Sequence, residues 1–354
     1  MDAQQKKILT FFRTRRVILP VLVGLGVATY LFIRNFDTEA LEQVNWSPAS
    51  YRCILLSVML MVVRDLAYMY RLRVLTEKQL SWKRAFFVIM LWEFASAVTP
   101  TIIGGTAVAL FIIRKEGISM GRTTAIVLIS AFLDELFYIL MVPVMLLWVG
   151  RLDLFTTEGS YVLMTGRFGI QGIFLTGYII ILIITTAIFY GVFVNPRGFK
   201  YLLVNIFRMP FIRRYRVQAA ETGNEIIVTS RELRKKPVTF WLKAFAGTFF
   251  SWTARFWVVN ALIMAFFAVT MSDHLLIYAR QLTMWVILLV SPTPGGSGVA
   301  EIVFSGFLGE FIPTGLTPAM GLLWRTISYY PYLFIGVIIL PHWLKRVYAP
   351  QNPQ

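Results

Sequence analysis

Eight charged residues lie inside stretches that are otherwise apolar: Arg64, Asp65, Glu93, Asp134, Glu135, Arg255, Glu301 and Arg325. A charge at the centre of a bilayer costs from about 2.5 to more than 10 kcal/mol by different measures, so each of these must be paired or wetted. An arginine in such a place can neutralise a phosphate or carboxylate, and a carboxylate can hold an arginine or carry a proton. Three arginines against five carboxylates come close to balance. Taken singly, any of them could belong to a structural ion pair, for instance Arg64 with Asp134 or Arg325 with Glu301. Taken together, and converging on two helix breaks, they favour a path for a charged substrate. Asp134 and Glu135 do not read as a metal-binding pair: adjacent helix positions point about 100° apart, so at most one of them naturally faces the core.

The two breaks are Thr99-Pro100-Thr101-Ile102-Ile103-Gly104-Gly105 and Ser291-Pro292-Thr293-Pro294-Gly295-Gly296, each midway along an apolar stretch (83–113 and 275–311). Proline removes a backbone donor and glycine is a poor helix former, so neither cluster should continue a helix. Non-helical backbone at membrane depth survives only against protein or a watery cavity. The economical reading is two re-entrant hairpins, each of two half-helices. The half-helices starting at Gly105 and at Ser297 would then present free N–H groups and positive dipole ends near the midplane, where an anion could bind beside Arg64, Arg255 and Arg325. Glu301, in the first turn of the second, could cap the dipole, take up a proton, or hold an arginine.

The elements that must position these residues follow from composition. Of 354 residues, 57% are hydrophobic and 15% charged. A soluble domain carries roughly a quarter charged residues, so this supply cannot cover a solvated shell. The chain is expected to be an all-α, polytopic membrane bundle. Besides the two broken stretches, apolar runs fall at 17–34, 51–70, 122–150, 169–194, 238–271 and 317–344. The single Cys53 excludes an internal disulfide, and His274 and His342 are too few for a histidine-based metal site. The net charge of +16 is read as Lys and Arg retained in cytoplasmic loops rather than as a nucleic-acid footprint.

Charge distribution sets the topology. With the N-terminus inside, segments 1–16, 71–84, 114–122, 195–237 and 342–354 hold 25 Lys/Arg against 6 Asp/Glu, and the outer segments hold 2 against 7. Both termini are thus expected to be cytoplasmic, with hairpin one opening inward and hairpin two outward. Phe211 to Leu233, in the one long loop, could be an amphipathic helix on anionic headgroups or a plain solvated loop. Trp46, Trp148 and Trp343 read as interface-belt residues.

The breaks also align with each other. Arg64 precedes Pro100 by 36 residues and Arg255 precedes Pro292 by 37; Asp134 follows Pro100 by 34 and Arg325 follows Pro292 by 33. Oppositely oriented repeats with discontinuous helices are a transporter architecture. The expected organisation is a basic segment and first helix (1–50), a first repeat (51–150), an extra helix and basic loop (151–237), a second, inverted repeat (238–344) and a tail (345–354).

Ser291-Pro292-Thr293-Pro294-Gly295-Gly296-Ser297-Gly298-Val299-Ala300-Glu301, followed by Arg325, resembles the second signature of the lysylphosphatidylglycerol synthase transmembrane-region family. Pro100 with Gly104-Gly105, then Arg114-Lys115-Glu116-Gly117-Ile118-Ser119 and Asp134-Glu135, resembles its first. Where the family often has an acidic residue after the glycine, this chain has Thr106. The resemblance implies a flippase-like fold in a bacterial cytoplasmic membrane, without the aminoacyl-transfer domain.

The expected function is a lipid translocator for an anionic or zwitterionic headgroup on a phospholipid or polyprenyl phosphate. Arg64, Arg255, Arg325, Gly104, Gly105, Gly295, Gly296 and Ser297 would bind substrate. Asp65, Asp134, Glu135 and Glu301 would couple or pair. No catalytic residue, metal, cofactor or nucleic-acid partner is expected, and an oligomer is compatible with such a chain. The alternatives are an intramembrane enzyme on lipid-linked substrates, with Asp37, Glu39 and Glu42 as its acidic candidates, and a secondary transporter of a small soluble anion.

Overall fold

The computed structural model describes residues 33, 46–99, 101–150, 154–155, 169–209, 213–288, 296, 298–313 and 315–348. Among them there are helices and no strands. The helices are α1 (Pro48–Leu75), α2 (Trp82–Val98), α3 (Thr101–Lys115), α4 (Met120–Val149), α5 (Gly169–Phe189), α6 (Pro196–Ile206), α7 (Arg216–Arg234), α8 (Val238–Phe266), α9 (Met271–Leu288), α10 (Val299–Leu308), α11 (Thr317–Ser328) and α12 (Tyr330–Tyr348).

Five segments are long and apolar enough to cross a bilayer: Pro48–Leu75, Met120–Val149, Gln171–Val194, Val238–Phe266 and Thr317–Tyr348. These are five of the six unbroken runs expected from sequence. Apart from Ile33, the sixth, 17–34, lies outside the described residues, as do Asp37, Glu39 and Glu42. The last span is α11 and α12 together, joined at Tyr329. The chain is a polytopic membrane protein.

Local chemistry sets the helix starts. Ser47, just before Pro48, and Ser50, in the first turn of α1, form a reciprocal cap, and Ser81 and Ser119 cap α2 and α4 by accepting the amides of Arg84 and Arg122. α8 runs along α1 as the most extensive packing in the bundle, α2 packs on both α3 and α12, and α11 packs on α8 and α1. The core follows these seams, with Leu72, Leu91, Ile129, Val258, Leu262, Val303 and Phe304 buried.

Ion pairs gather the basic connections at one end. Glu77, just after α1, binds Arg122 at the start of α4 (2.6 Å) and Lys236 ahead of α8 (2.5 Å). Glu116, just after α3, binds Arg346 at the end of α12 and lies 3.8 Å from Arg84 at the start of α2. Four of the segments expected to share one side of the membrane are therefore together at one end of the bundle. α2 leaves that end and α3 returns to it.

Two expectations are corrected. Trp343 is buried and donates its Nε1 to Glu116 at 2.7 Å, so it braces α12 instead of sitting in a surface belt; Trp46 and Trp148 are exposed. The 216–234 helix α7 turns Ala219, Ile226, Ser230 and Leu233 inward against its neighbours, and Glu225 accepts the Gly121 amide at 2.6 Å. Its apolar stripe is used for packing. Exposed apolar side chains of this region include Tyr201, Leu202 and Ile206 on α6 and Val217 and Val228 on the opposite face of α7.

Candidate functional site

A cavity of about 290 Å³ lies among α1, α2, α4, α8, α9 and the α11–α12 junction. Arg64, Glu93, Asp134, Glu135, Arg255 and Arg325 line it, with Gly296 from the second break and Thr106 from α3. Six of the eight charges singled out in sequence thus meet around one space, and Arg64, Asp134, Glu135 and Arg255 each sit near the middle of a spanning helix.

Arg64 is fully occupied on one side. Its Nη2 is 2.7 Å from Glu93, and its Nη1 is 2.8 Å from Asp65 and donates to Tyr332 Oη at 2.8 Å. Tyr332 in turn donates to Asp65 at 2.8 Å, closing a triangle that ties α1 to α12. The guanidinium also lies over the Tyr68 and Tyr332 rings, and its Nε has no hydrogen-bond partner among the described residues. Asp65 is held in this triangle and does not line the cavity.

Asp134 pairs with Arg71, which the sequence reading assigned to a loop. Arg71 Nη1 and Nη2 reach the two carboxylate oxygens at 2.5 and 3.2 Å, Arg71 Nη1 also donates to Thr248, and Trp252 Nε1 donates to Asp134 at 2.8 Å. The expected Arg64–Asp134 pair is therefore not formed: Glu93, presented by the neighbouring α2, takes Arg64. The expected Arg325–Glu301 pair is formed at 3.1 Å. Glu301 also accepts the amide of Gly298, the cap residue of α10, at 2.7 Å, so it stabilises the helix start and holds an arginine at once.

Two groups remain without a countercharge. Arg255 has no carboxylate within ion-pair distance among the described residues; its guanidinium lies over the indoles of Trp285 (4.8 Å) and Trp252 (5.6 Å). Glu135 has no hydrogen-bond or ion-pair partner among the described residues, and its Oε2 is buried. One turn along, Tyr138 Oη is buried and equally without a partner. Asp134 and Glu135 both line the cavity, contrary to the expectation that one would turn away. A cation held by aromatic faces and by no carboxylate keeps its donors available to an anion.

The first break is built differently from the expectation. α3 begins at Thr101, so the Gly105 amide lies within the helix and is not a free donor. A Cβ on Gly105 would stand 2.1 Å from Ser96 Oγ, which makes Gly105 a close-packing residue between α2 and α3. Gly104 lies in the first turn of α3. In the second break, Gly296 has φ +69° and lines the cavity, α10 starts at Val299, and Gly295 and Ser297 lie outside the described residues.

The cavity wall is also aromatic. Trp92, Trp252, Trp285 and Trp324 line it, with Tyr68 and Tyr138. Sequence reasoning treated most tryptophans as interface residues. The available signal was spacing: Trp252 precedes Arg255 by three positions and Trp324 adjoins Arg325.

A family model described as "Lysylphosphatidylglycerol synthase TM region" matches residues 17–336. The chain belongs to that family. A curated relative, a "UPF0104 membrane protein" of Archaeoglobus fulgidus, is 25% identical over 338 residues, covering 91% of this chain and 95% of its own length. No solved structure matches the chain. The matched region of this lysylphosphatidylglycerol synthase TM-region protein contains every residue that lines the cavity.

Proposed function

We propose that this protein is a flippase-type translocator that passes the phosphate-bearing headgroup of a lipid through the central cavity while the acyl chains stay in the bilayer. The observation that carries this reading is Arg255: a guanidinium beside an intramembrane cavity, flanked by two tryptophans and without a carboxylate partner among the described residues. A guanidinium at membrane depth whose donors are not taken by a carboxylate can bind an anion. A phosphate on an anionic or zwitterionic lipid, whether a phospholipid or a polyprenyl phosphate, supplies one.

Architecture supports the reading. α1, α2, α3 and α4 are followed, after α5 to α7, by α8, α9, α10 and α11, which repeat a long helix, a broken helix pair and a helix carrying a cavity charge. We read these as inverted repeats whose broken pairs are re-entrant hairpins, in the manner of secondary transporters. The basic end of the bundle is taken as the cytoplasmic face of the cytoplasmic membrane, with both termini on that side. The cavity offers arginines, carboxylates and aromatic rings rather than a nucleophile set against a base, which favours carriage over chemistry.

The test is headgroup translocation in proteoliposomes of purified protein, with labelled phospholipids, labelled polyprenyl phosphate and inorganic phosphate in parallel. Lipid movement abolished by Arg255→Gln is the expected result. Movement of inorganic phosphate alone would assign a soluble-anion transporter, and no movement of any probe by folded protein would refute the reading.

A further inference from the structure

Resting on that translocator reading, we propose that Glu135 is the proton carrier of this protein, taking up one proton for each anion that Arg255 receives. The charges in and around the cavity support it. Arg64, Arg71 and Arg325 are matched by Asp65, Glu93, Asp134 and Glu301. Adding Arg255 makes four arginines against four carboxylates, a neutral set. Glu135 is the fifth carboxylate. Ionised, it gives the set a net negative charge; an anion on Arg255 does the same. Both together would leave two uncompensated negative charges in a low-dielectric space, which is the arrangement burial opposes most strongly. Protonating the Glu135 carboxylate forms one O–H bond and moves no electrons. Anion and proton load together and leave together.

Geometry places the exchange on Glu135 and on no other acid of this set. Asp134 accepts from Arg71 and Trp252, Glu301 from Arg325 and Gly298, and Asp65 and Glu93 hold Arg64. Only Glu135, among these, has no donor to stabilise its charged form. The groups around it are accounted for element by element. On α4 itself the neighbours are Asp134 and Tyr138. From α1 come Arg64 and Tyr68 at the cavity and Arg71 behind Asp134; from α8, Arg255. Across the cavity stand Glu93 of α2, Arg325 of α11, and Tyr329 and Tyr332. Where α3 and α9 reach the cavity they present Thr106, Trp285 and Leu288, none of which titrates. On α5, Tyr178 donates to the Ile139 carbonyl, and on α7, Glu225 serves the far end of α4 at Gly121. Tyr138 Oη, one turn from Glu135 and without a partner, is a hydroxyl through which a proton could pass.

The experiment measures initial translocation rates at subsaturating probe in proteoliposomes, with fluorescent phosphatidylglycerol in one arm and radiolabelled inorganic phosphate in the other, across a pH series. Coupling of one proton predicts a rate that falls about tenfold per pH unit above the titration of the site. Glu135→Gln is expected to flatten that dependence. A pH-independent wild type, or a Glu135→Gln variant that keeps the wild-type slope, overturns the coupling while the translocator reading stands. In parallel, the infrared spectrum of the wild type with phosphatidylglycerol bound should contain a protonated-carboxyl carbonyl band that Glu135→Gln lacks, and its absence overturns the proposal independently of transport. If neither probe moves, the translocator reading falls and that band alone decides whether Glu135 holds a proton.

Discussion

Arg71 and Asp134, 63 positions apart, meet through two hydrogen bonds of 2.5 and 3.2 Å and pin α1 to α4 beside the cavity. Trp252 and Thr248 of α8 donate to or accept from the same pair, so one ion pair holds three spanning helices in register.

Removing Arg71 strands Asp134, a partly buried carboxylate that keeps only the Trp252 donor, which costs up to about 3 kcal/mol. Arg71→Leu is therefore expected to lower thermal stability in detergent. Arg71→Leu combined with Asp134→Leu should lose less than the two single losses added together, with a coupling of about 1–3 kcal/mol by a double-mutant cycle. Additive losses would show that the pair contributes nothing as a unit.

Gly336 of α12 has no room for a side chain. A Cβ there would lie 2.1–2.4 Å from three atoms of Phe94, including its own Cβ. Gly336→Ala should destabilise by about 1–3 kcal/mol through overpacking of the α2–α12 seam. A Gly336→Ala variant as stable as wild type would mean the two helices separate at no cost.

The clasp at the basic end gives a pH dependence with a defined sign. The hydrogen bond from Lys236, aided by the charges of Lys236 and Arg122, holds the Glu77 carboxyl below the ordinary carboxylate range. A lowered folded value means stability that is present above the ordinary carboxylate pKa and lost as pH falls through the folded one. Because Glu77 is more than a third exposed, solvent screening limits the gain to about 0.5 kcal/mol. Comparing melting of wild type and Glu77→Gln from neutral to acid pH should show a small gap that closes on acidification; a gap that widens would contradict the assignment.

How much of this was legible in the sequence depended on what kind of pattern each feature leaves. The apolar runs marked the five described spans, and the isolated charges marked the cavity, because both are violations of the local background. Arg71 was missed because it stands at the edge of a basic segment, although Arg64, Tyr68 and Arg71 recur at helical spacing and share one face of α1. Pair identity was not readable: Glu93 and Asp134 were both available to Arg64, and only the packing of α2 against α1 decides between them. Gly105 looked like a helix start because proline and glycine cluster there, whereas α3 begins at Thr101 and uses Gly105 to approach Ser96. Direct contact across helices, unlike period along one helix, leaves no mark in a single sequence.

The central claim is that Arg255 is the anion site, and equilibrium binding tests it most directly. Lipids with a phosphate headgroup, titrated into detergent-purified protein and followed by native mass spectrometry, should bind wild type and bind Arg255→Gln more weakly by about 10- to 100-fold, the equivalent of a lost charged hydrogen bond of roughly 1.5–3 kcal/mol. Lipid binding that Arg255→Gln leaves unchanged, in protein that melts like wild type, would contradict the account.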